Sequence, residues 1–279
     1  METEPSVEPY EGMALLRSLA DRGQAVFTVP DAREVAEDVG IAPSYLKVVL
    51  RRLRESGWIR RIKRGTYAMT GGLPGFPPEL PPFAVGMALV DPCAISGWAA
   101  LNHHGLTEQI PRVITLTTPK RIATPAMRGA VQTAPSTWRV AEHDFEIVSV
   151  VPAHFFGYEE TWVGEARVKV FDRERALLDC FALPRRFGGV SEGLAIVEQH
   201  LHELDVERLV AHVQRYGKDA VIKRVGYALE IAGADPSAID PLRRHPVKGY
   251  RLLDPTKAKR GRRDGRWGLQ NNLKVDAPR

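Results

Sequence analysis

Two clusters of cationic side chains dominate the chemistry this sequence could perform. Between Arg51 and Arg64 seven basic residues (Arg51, Arg52, Arg54, Arg60, Arg61, Lys63 and Arg64) face a single acid, Glu55. Guanidinium and ammonium groups at that density hold phosphate oxygens, which attracts nucleic acid whatever its sequence. Just upstream stand Ser44, Tyr45 and Lys47, side chains that can reach base edges if they enter a groove beside Arg51. On this reading Arg52, Arg54, Arg60, Arg61, Lys63 and Arg64 serve mainly phosphates. The second cluster is Lys257, Lys259, Arg260, Arg262, Arg263 and Arg266, interleaved with Gly261 and Gly265 and closed by Trp267. A run of this kind is either a solvated tail or a contact for nucleic acid or an acidic partner. Trp267 and Leu269 suggest that the chain returns to the fold there. Lys257, Arg260, Arg262 and Arg263 are the candidates for a second activity.

Other chemistry finds little support. GxGxxG, GxxxxGK[ST] and HExxH patterns are missing. His103 and His104 are adjacent, so on a helix they point about 100° apart and cannot chelate one ion together. Glu142, Asp144 and Glu146 alternate into a strand, but the lysine that a nuclease core sets beside such acids does not follow. Cys180 lies on the apolar side of its helix, where packing suits it better than nucleophilic attack. Cys93 and Cys180 are too few, and too far apart in sequence, for a disulfide framework or a zinc cluster, which fits a reducing cytoplasm. The expectation is a protein without catalysis, cofactor or metal.

The first cluster is positioned by Asp31 to Tyr67, which reads as helix, turn, helix and a two-stranded wing. Asp31 and Glu34 form a candidate capping box. Val35, Ala36 and Val39 give a short apolar face, and Gly40 lets the chain turn. Pro43 suits a first helical position, and Leu46, Val49, Leu50 and Leu53 make the buried stripe of a second helix. Gly57 ends it, and Trp58-Ile59 and Tyr67-Ala68 flank Lys63-Arg64-Gly65 as a hairpin. A helix over Tyr10 to Ala20 and a strand over Val26 to Val29 precede this winged helix-turn-helix of residues 1–70. Gly71 to Pro82 then holds five prolines and three glycines in twelve residues, a stiff linker. Residues 83–279 form a second domain: a helix over Ile95 to Gly105, strands over 113–117, 145–151 and 166–171, and a helix capped by Asp172. Three more helices span Gly193 to His202, Val206 to Tyr216 and Asp219 to Ala232. The sum is an α+β protein.

Length and charge agree with this. The 279 residues suffice for two domains, and the net charge of +5 is concentrated in the winged module and in Arg243 to Arg266. The acidic N-terminus has no signal-peptide character, and the apolar run Phe83 to Val90 is too short to span a membrane. No internal repeat is visible.

Within the second domain the chain resembles the AbiEi family of antitoxins from type IV toxin–antitoxin systems. The matching blocks are SGWAALNHHGLTEQIPR (Ser96 to Arg112), FFGY (Phe155 to Tyr158), VFDRERALLDCFALPRRFGG (Val170 to Gly189), KRVGYALE (Lys223 to Glu230) and a closing LLDP…GRW…NN. With the winged module they span nearly the whole chain. Ala42 departs from the Ser or Thr cap that many such modules carry before the recognition helix. The resemblance implies a non-enzymatic, bifunctional protein. One part would be an autorepressor on inverted repeats of double-stranded operator DNA. The other would counter a cognate nucleotidyltransferase-like toxin without requiring a tight complex. From the residues alone, a transcription factor with a sensing or oligomerisation domain, or a DNA-targeted nucleic-acid-processing enzyme, remains open.

Overall fold

The computed structural model describes residues 9–70, 81–122, 137–140, 142–163 and 166–273. The described chain mixes helices and strands, an α+β arrangement. It opens with α1 (Pro9–Asp21), β1 (Val26–Thr28), α2 (Val29–Asp38), α3 (Leu46–Glu55), β2 (Ile59–Lys63) and β3 (Thr66–Met69). β3 lies between β1 and β2 and is antiparallel to both.

Local chemistry sets the helix ends. The cap of α2 sits three residues before the expected position. The Thr28 hydroxyl accepts from the Asp31 N–H at 3.3 Å, and the Asp31 carboxylate accepts from the Thr28 N–H at 2.7 Å. Thr28 ends β1 in extended backbone, and Pro30 has no donor to satisfy, so the helix begins at Val29 rather than after Asp31. Glu34 is left exposed and paired with Arg22 at 3.0 Å. After α2 the chain turns at Gly40 (φ 76°), and the Ile41 N–H bonds the Ala36 carbonyl at 2.8 Å. Pro43 is not the first residue of α3. It opens a tight turn in which Tyr45 and Leu46 donate to the Ala42 carbonyl at 2.9 and 3.1 Å, and regular helix starts at Leu46. No side chain caps α3, whose N-cap position is Tyr45 in helical backbone. Leu46, Val49, Leu50 and Leu53 are buried with Leu15, Leu16, Leu19, Phe27, Val35 and Ile59 in one core. Burying each such side chain contributes about 1.5–3 kcal/mol, which fixes the face that α3 turns outward.

The chain continues through α4 (Pro82–Leu89), β4 (Ala94–Ser96), α5 (Gly97–His103), β5 (Val113–Thr118), β6 (Thr137–Val140), β7 (His143–Ser149), β8 (Tyr158–Val163) and β9 (Ala166–Phe171). These strands run in the order β6-β7-β5-β4-β9-β8. The helix expected over Ile95 to Gly105 is instead a strand followed by a shorter helix. Ile95 pairs with Leu116 and Ser96 with Thr115, and the Ser96 hydroxyl lies 2.8 Å from that of Thr117. Those backbone bonds outweigh local helix propensity, and helix begins only at Gly97. Strand β7 starts and ends two residues before the expected 145–151. Within the expected linker, residues 71–80 lie outside the described residues, and Pro82 begins a helix that the sequence did not reveal.

Five helices follow: α6 (Arg173–Ala182), α7 (Ser191–His200), α8 (Val206–Tyr216), α9 (Asp219–Ile231) and α10 (Pro236–Arg244). The last carries Pro241 in its interior, which hid it from a propensity reading. A small sheet of β10 (Arg251–Leu252), β11 (Arg262–Asp264) and β12 (Leu269–Asn271) ends the described chain, with β12 in the middle.

Two compact units result, one of Met1–Cys93, Ala123–Ile147 and Glu160–Lys169, the other of Ala94–Ile122, Val148–Glu159 and Val170–Arg279. The second unit is built around α6, whose Leu177, Leu178, Cys180 and Phe181 are fully buried. Among the described residues its buried charged side chains have partners, although Arg175 Nε and Glu174 Oε2 themselves make no hydrogen bond. Asp172 caps α6 by accepting from the Arg175 N–H at 2.7 Å and lies 2.9 Å from His212 Nε2. Arg175 pairs with Asp179 and stacks over Phe171 at 4.4 Å. Arg224 donates to the carbonyls of Phe181 (3.1 Å) and Leu252 (3.0 Å), and Lys223 to those of Leu242 (3.1 Å) and Arg243 (2.7 Å). These cations satisfy carbonyls at the ends of α6 and α10 that have no intrahelical donor.

Candidate nucleic-acid interface

With its apolar stripe fixed inward, α3 presents Lys47, Arg51 and Arg54 along one exposed edge. Their spacing of four and three residues sets them over roughly 10 Å of helix axis. Arg51 lies 3.9 Å from Glu55, both well exposed, a pair too weak to withhold the guanidinium from a better anion. Lys47 and Arg54 have no ion pair among the described residues. Ser44 is exposed in the turn before the helix. Tyr45 is half-buried against the core, and Arg52 Nη1 lies 3.3 Å from its hydroxyl.

The hairpin adds four more cations. Strand β2 carries an irregularity between Arg61 and Lys63, where Ile62 has no partner on β3. The extra residue breaks simple alternation. Ile59 and Ile62 are buried while Arg60, Arg61 and Lys63 stay exposed. Arg64 is exposed at the turn, beside Gly65 with φ 76°. Two of the cations are engaged at their heads: Lys63 Nζ donates to the Leu89 carbonyl at 3.2 Å, and Arg60 lies 3.7 Å from Glu142. Arg61 Nε bonds the Lys63 carbonyl at 3.3 Å, which stiffens the strand but leaves the rest of its guanidinium outward.

The weaker candidates fall into structural roles. His104 Nε2 lies 2.7 Å from the Phe171 carbonyl. Glu142 sits at the β6–β7 hairpin with φ 66° and pairs with Arg139 and Arg60, while Asp144 pairs with Arg139 at 3.1 Å. Among the described residues no group of three or more His, Cys, Asp and Glu side chains could hold a metal ion. Burial pushes the Cys180 thiol well up, and burial with Asp91 nearby pushes Cys93 up to about 12, so neither is thiolate near neutrality.

The second basic cluster is folded. Trp267 is fully buried, with its Nε1 donating to Glu230 at 2.6 Å, and Leu269 is buried beside it in β12. Lys257, Arg260, Arg262 and Arg263 are exposed on the outside of this segment. Sequence reasoning passed over Tyr250 and Gln270, which the small sheet brings to the same cluster. Their positions follow from strand register, which the sequence does not display.

A helix-turn-helix-like region with an outward cationic edge thus stands at the N-terminus of an α+β chain. Residues 14–70 match the family model described as "Transcriptional regulator, AbiEi antitoxin", consistent with the AbiEi resemblance of the chain. The fold is similar to that in the crystal structure of the Rv2827c protein from Mycobacterium tuberculosis, with a TM-score of 0.61 and 18% identity. The likeness covers 94% of this chain and 91% of that one. No curated protein matches the chain. Among the described residues no helix is long and apolar enough to cross a membrane.

Proposed function

We propose that this protein is the antitoxin of a type IV toxin–antitoxin system and also the repressor of its own operon. In this reading, the α1-to-β3 segment is a winged helix-turn-helix within residues 1–70 that takes double-stranded operator DNA with inverted repeats. Ser44, Tyr45, Lys47 and Arg51 face the groove, while Arg52, Arg54, Arg60, Arg61, Lys63 and Arg64 hold phosphates. The chain after residue 83 counters a cognate nucleotidyltransferase-like toxin through Lys257, Arg260, Arg262 and Arg263. It does so as a non-enzymatic, cytoplasmic protein without a cofactor. The observation that carries the reading is the exposed cationic edge of α3 beside an arginine-rich hairpin, within the segment that matches a family of regulators and antitoxins.

Two assays on the full chain test it. A reporter driven by the region upstream of the gene should be repressed by the wild type and released by Lys47→Ala, Arg51→Ala and Arg54→Ala together. Cells expressing the nucleotidyltransferase encoded by an adjacent gene should be rescued by that same triple variant. Repression that persists in the triple variant would refute the DNA-binding assignment. A failure of the wild type to rescue would refute the antitoxin assignment.

A further inference from the structure

The stretch from Lys248 to Arg266 holds eight basic residues and two acids, more net positive charge than the +5 of the whole chain. Both acids are consumed by local structure. Asp254 is fully buried and accepts from the Thr256 N–H at 2.8 Å and from its hydroxyl at 2.6 Å. Asp264 accepts from the backbone N–H groups of Arg266 (2.9 Å) and Trp267 (3.1 Å). Two of the cations are paired from outside the stretch, Arg251 with Asp219 at 3.5 Å and Arg266 with Glu230 at 2.7 Å. The remaining basic side chains are exposed with no ion pair among the described residues.

Strand register gives these cations an aromatic companion. Arg263 pairs with Gln270 on β12, and Gln270 with Leu252 on β10, so the three share one face of the sheet. Tyr250, two residues before Leu252, lies across it: the Arg263 guanidinium stands 5.2 Å from the centre of its ring, and the hydroxyl lies 3.8 Å from where a side chain on Gly265 would begin. Tyr250 is 45% exposed. An exposed ring backed by a guanidinium, bordered by unpaired cations and a carboxamide, is the composition of a base-stacking platform with phosphate holders around it.

We propose that this face binds single-stranded RNA, with one base stacked on Tyr250 against Arg263. Backbone phosphates would lie on Lys257, Arg260 and Arg262, and Gln270 would be the group placed to meet a base edge or a 2′-hydroxyl. A stacking platform needs an unpaired base, and a duplex, whose bases are already stacked, offers none to Tyr250. The inference deepens the antitoxin reading, since it says what the four assigned cations hold, and it does not depend on operator binding.

The test uses the full-length chain carrying Lys47→Ala, Arg51→Ala and Arg54→Ala, so that operator contacts do not contribute. Fluorescence anisotropy would compare a labelled 12-nucleotide uridine-rich RNA, the same length of deoxythymidine, a 12-base-pair DNA duplex and heparin. The RNA should bind best. Tyr250→Ala should weaken RNA binding by about 5- to 100-fold, as expected for loss of one stacked base, while leaving heparin affinity within about twofold. Tyr250→Phe should keep most of the affinity. Three results would each overturn the proposal: equal affinity for duplex or deoxythymidine, a Tyr250→Ala variant that binds RNA unchanged, or a parallel loss of heparin binding. Because the ring is half exposed, an unchanged melting temperature confirms that the variant is folded, and a lowered one moves the judgement to Tyr250→Phe against Arg263→Gln. Rescue of toxin-expressing cells in parallel separates the two ideas. RNA binding without rescue would leave this face intact and remove only its antitoxic role.

Discussion

Replacing Gly226 with alanine sets two opposed effects against each other, and the structure decides which wins. Gly226 lies within α9, and glycine in a helix interior is about 0.8–1 kcal/mol less favourable than alanine, so propensity alone calls for stabilisation. A methyl group there would stand 2.1 and 2.4 Å from two carbons of the Trp267 ring. Carbon atoms pack at about 3.5–4.0 Å, so the ring must retreat by more than an ångström. It has nowhere to go: Trp267 is fully buried, its Nε1 is bound to Glu230 at 2.6 Å, and the adjacent Arg266 is tied to the same carboxylate at 2.7 Å. Overpacking of this kind costs about 1–3 kcal/mol, and a clash this deep belongs at the upper end. Subtracting the helix gain leaves a net loss of about 2 kcal/mol, or about 4–8 °C in melting temperature for a unit of this size. Thermal unfolding followed by tryptophan fluorescence reads it directly. The penalty should also shrink when Trp267→Leu is combined with it, because the two changes share one cavity. A Gly226→Ala variant that melts higher than wild type would refute this packing of the C-terminal segment on α9.

Two further expectations follow from local contacts. Thr28→Ala should cost about 1 kcal/mol by removing the cap of α2, whereas Glu34→Ala, at a residue outside the cap, should change stability by less than about 0.5 kcal/mol; chemical denaturation of both variants checks the shifted cap. His154 stacks on Tyr216 with ring centroids 4.0 Å apart, and burial, followed by the charge of Lys218, holds its pKa below the ordinary value near 6.5. Unfolding lets it gain a proton, so stability is fully present above that value and is lost as pH falls from about 6.5 toward the depressed folded value. Urea unfolding at several pH values in this window should show a shallower fall for His154→Gln than for wild type, and parallel slopes would contradict the assignment.

The parts of the fold legible in the sequence were those dictated by short-range pattern. The stripe Leu46, Val49, Leu50 and Leu53 named the buried face of α3, and hence the outward cations, without any knowledge of neighbours. Elements that depend on partners were misread. Ala94–Ser96 is a strand because β5 supplies its hydrogen bonds, and nothing in those residues resists helix. Thr28 displaced Asp31 as the cap because β1 ends there, a boundary that the alternation of Val26 to Val29 blurred by one residue. The helix over Pro236–Arg244 tolerates Pro241, and no local rule anticipates that. Of the resemblance blocks, VFDRERALLDCF and KRVGYALE supply Asp172, Arg175, Asp179, Lys223 and Arg224, buried charges engaged with one another, with His212 or with backbone carbonyls. The face around Tyr250 was half visible: its cations are contiguous in sequence, but the ring and Gln270 reach it only through register.

The central claim is that the exposed cations of α3 contact DNA, Lys47 and Arg51 in the groove and Arg54 on phosphate, and the strength and salt dependence of operator binding test it most directly. Binding of the full-length chain to its upstream region should be measured between 50 and 300 mM salt, for wild type and for the variant with Lys47, Arg51 and Arg54 changed to alanine. Each lost phosphate contact lowers the slope of log affinity against log salt by about 0.9, so with Arg54 on phosphate and Lys47 and Arg51 in the groove the variant's slope should be shallower by about 1 unit, with weaker binding throughout. Equal slopes and equal affinities would show that this edge of α3 does not meet the DNA backbone.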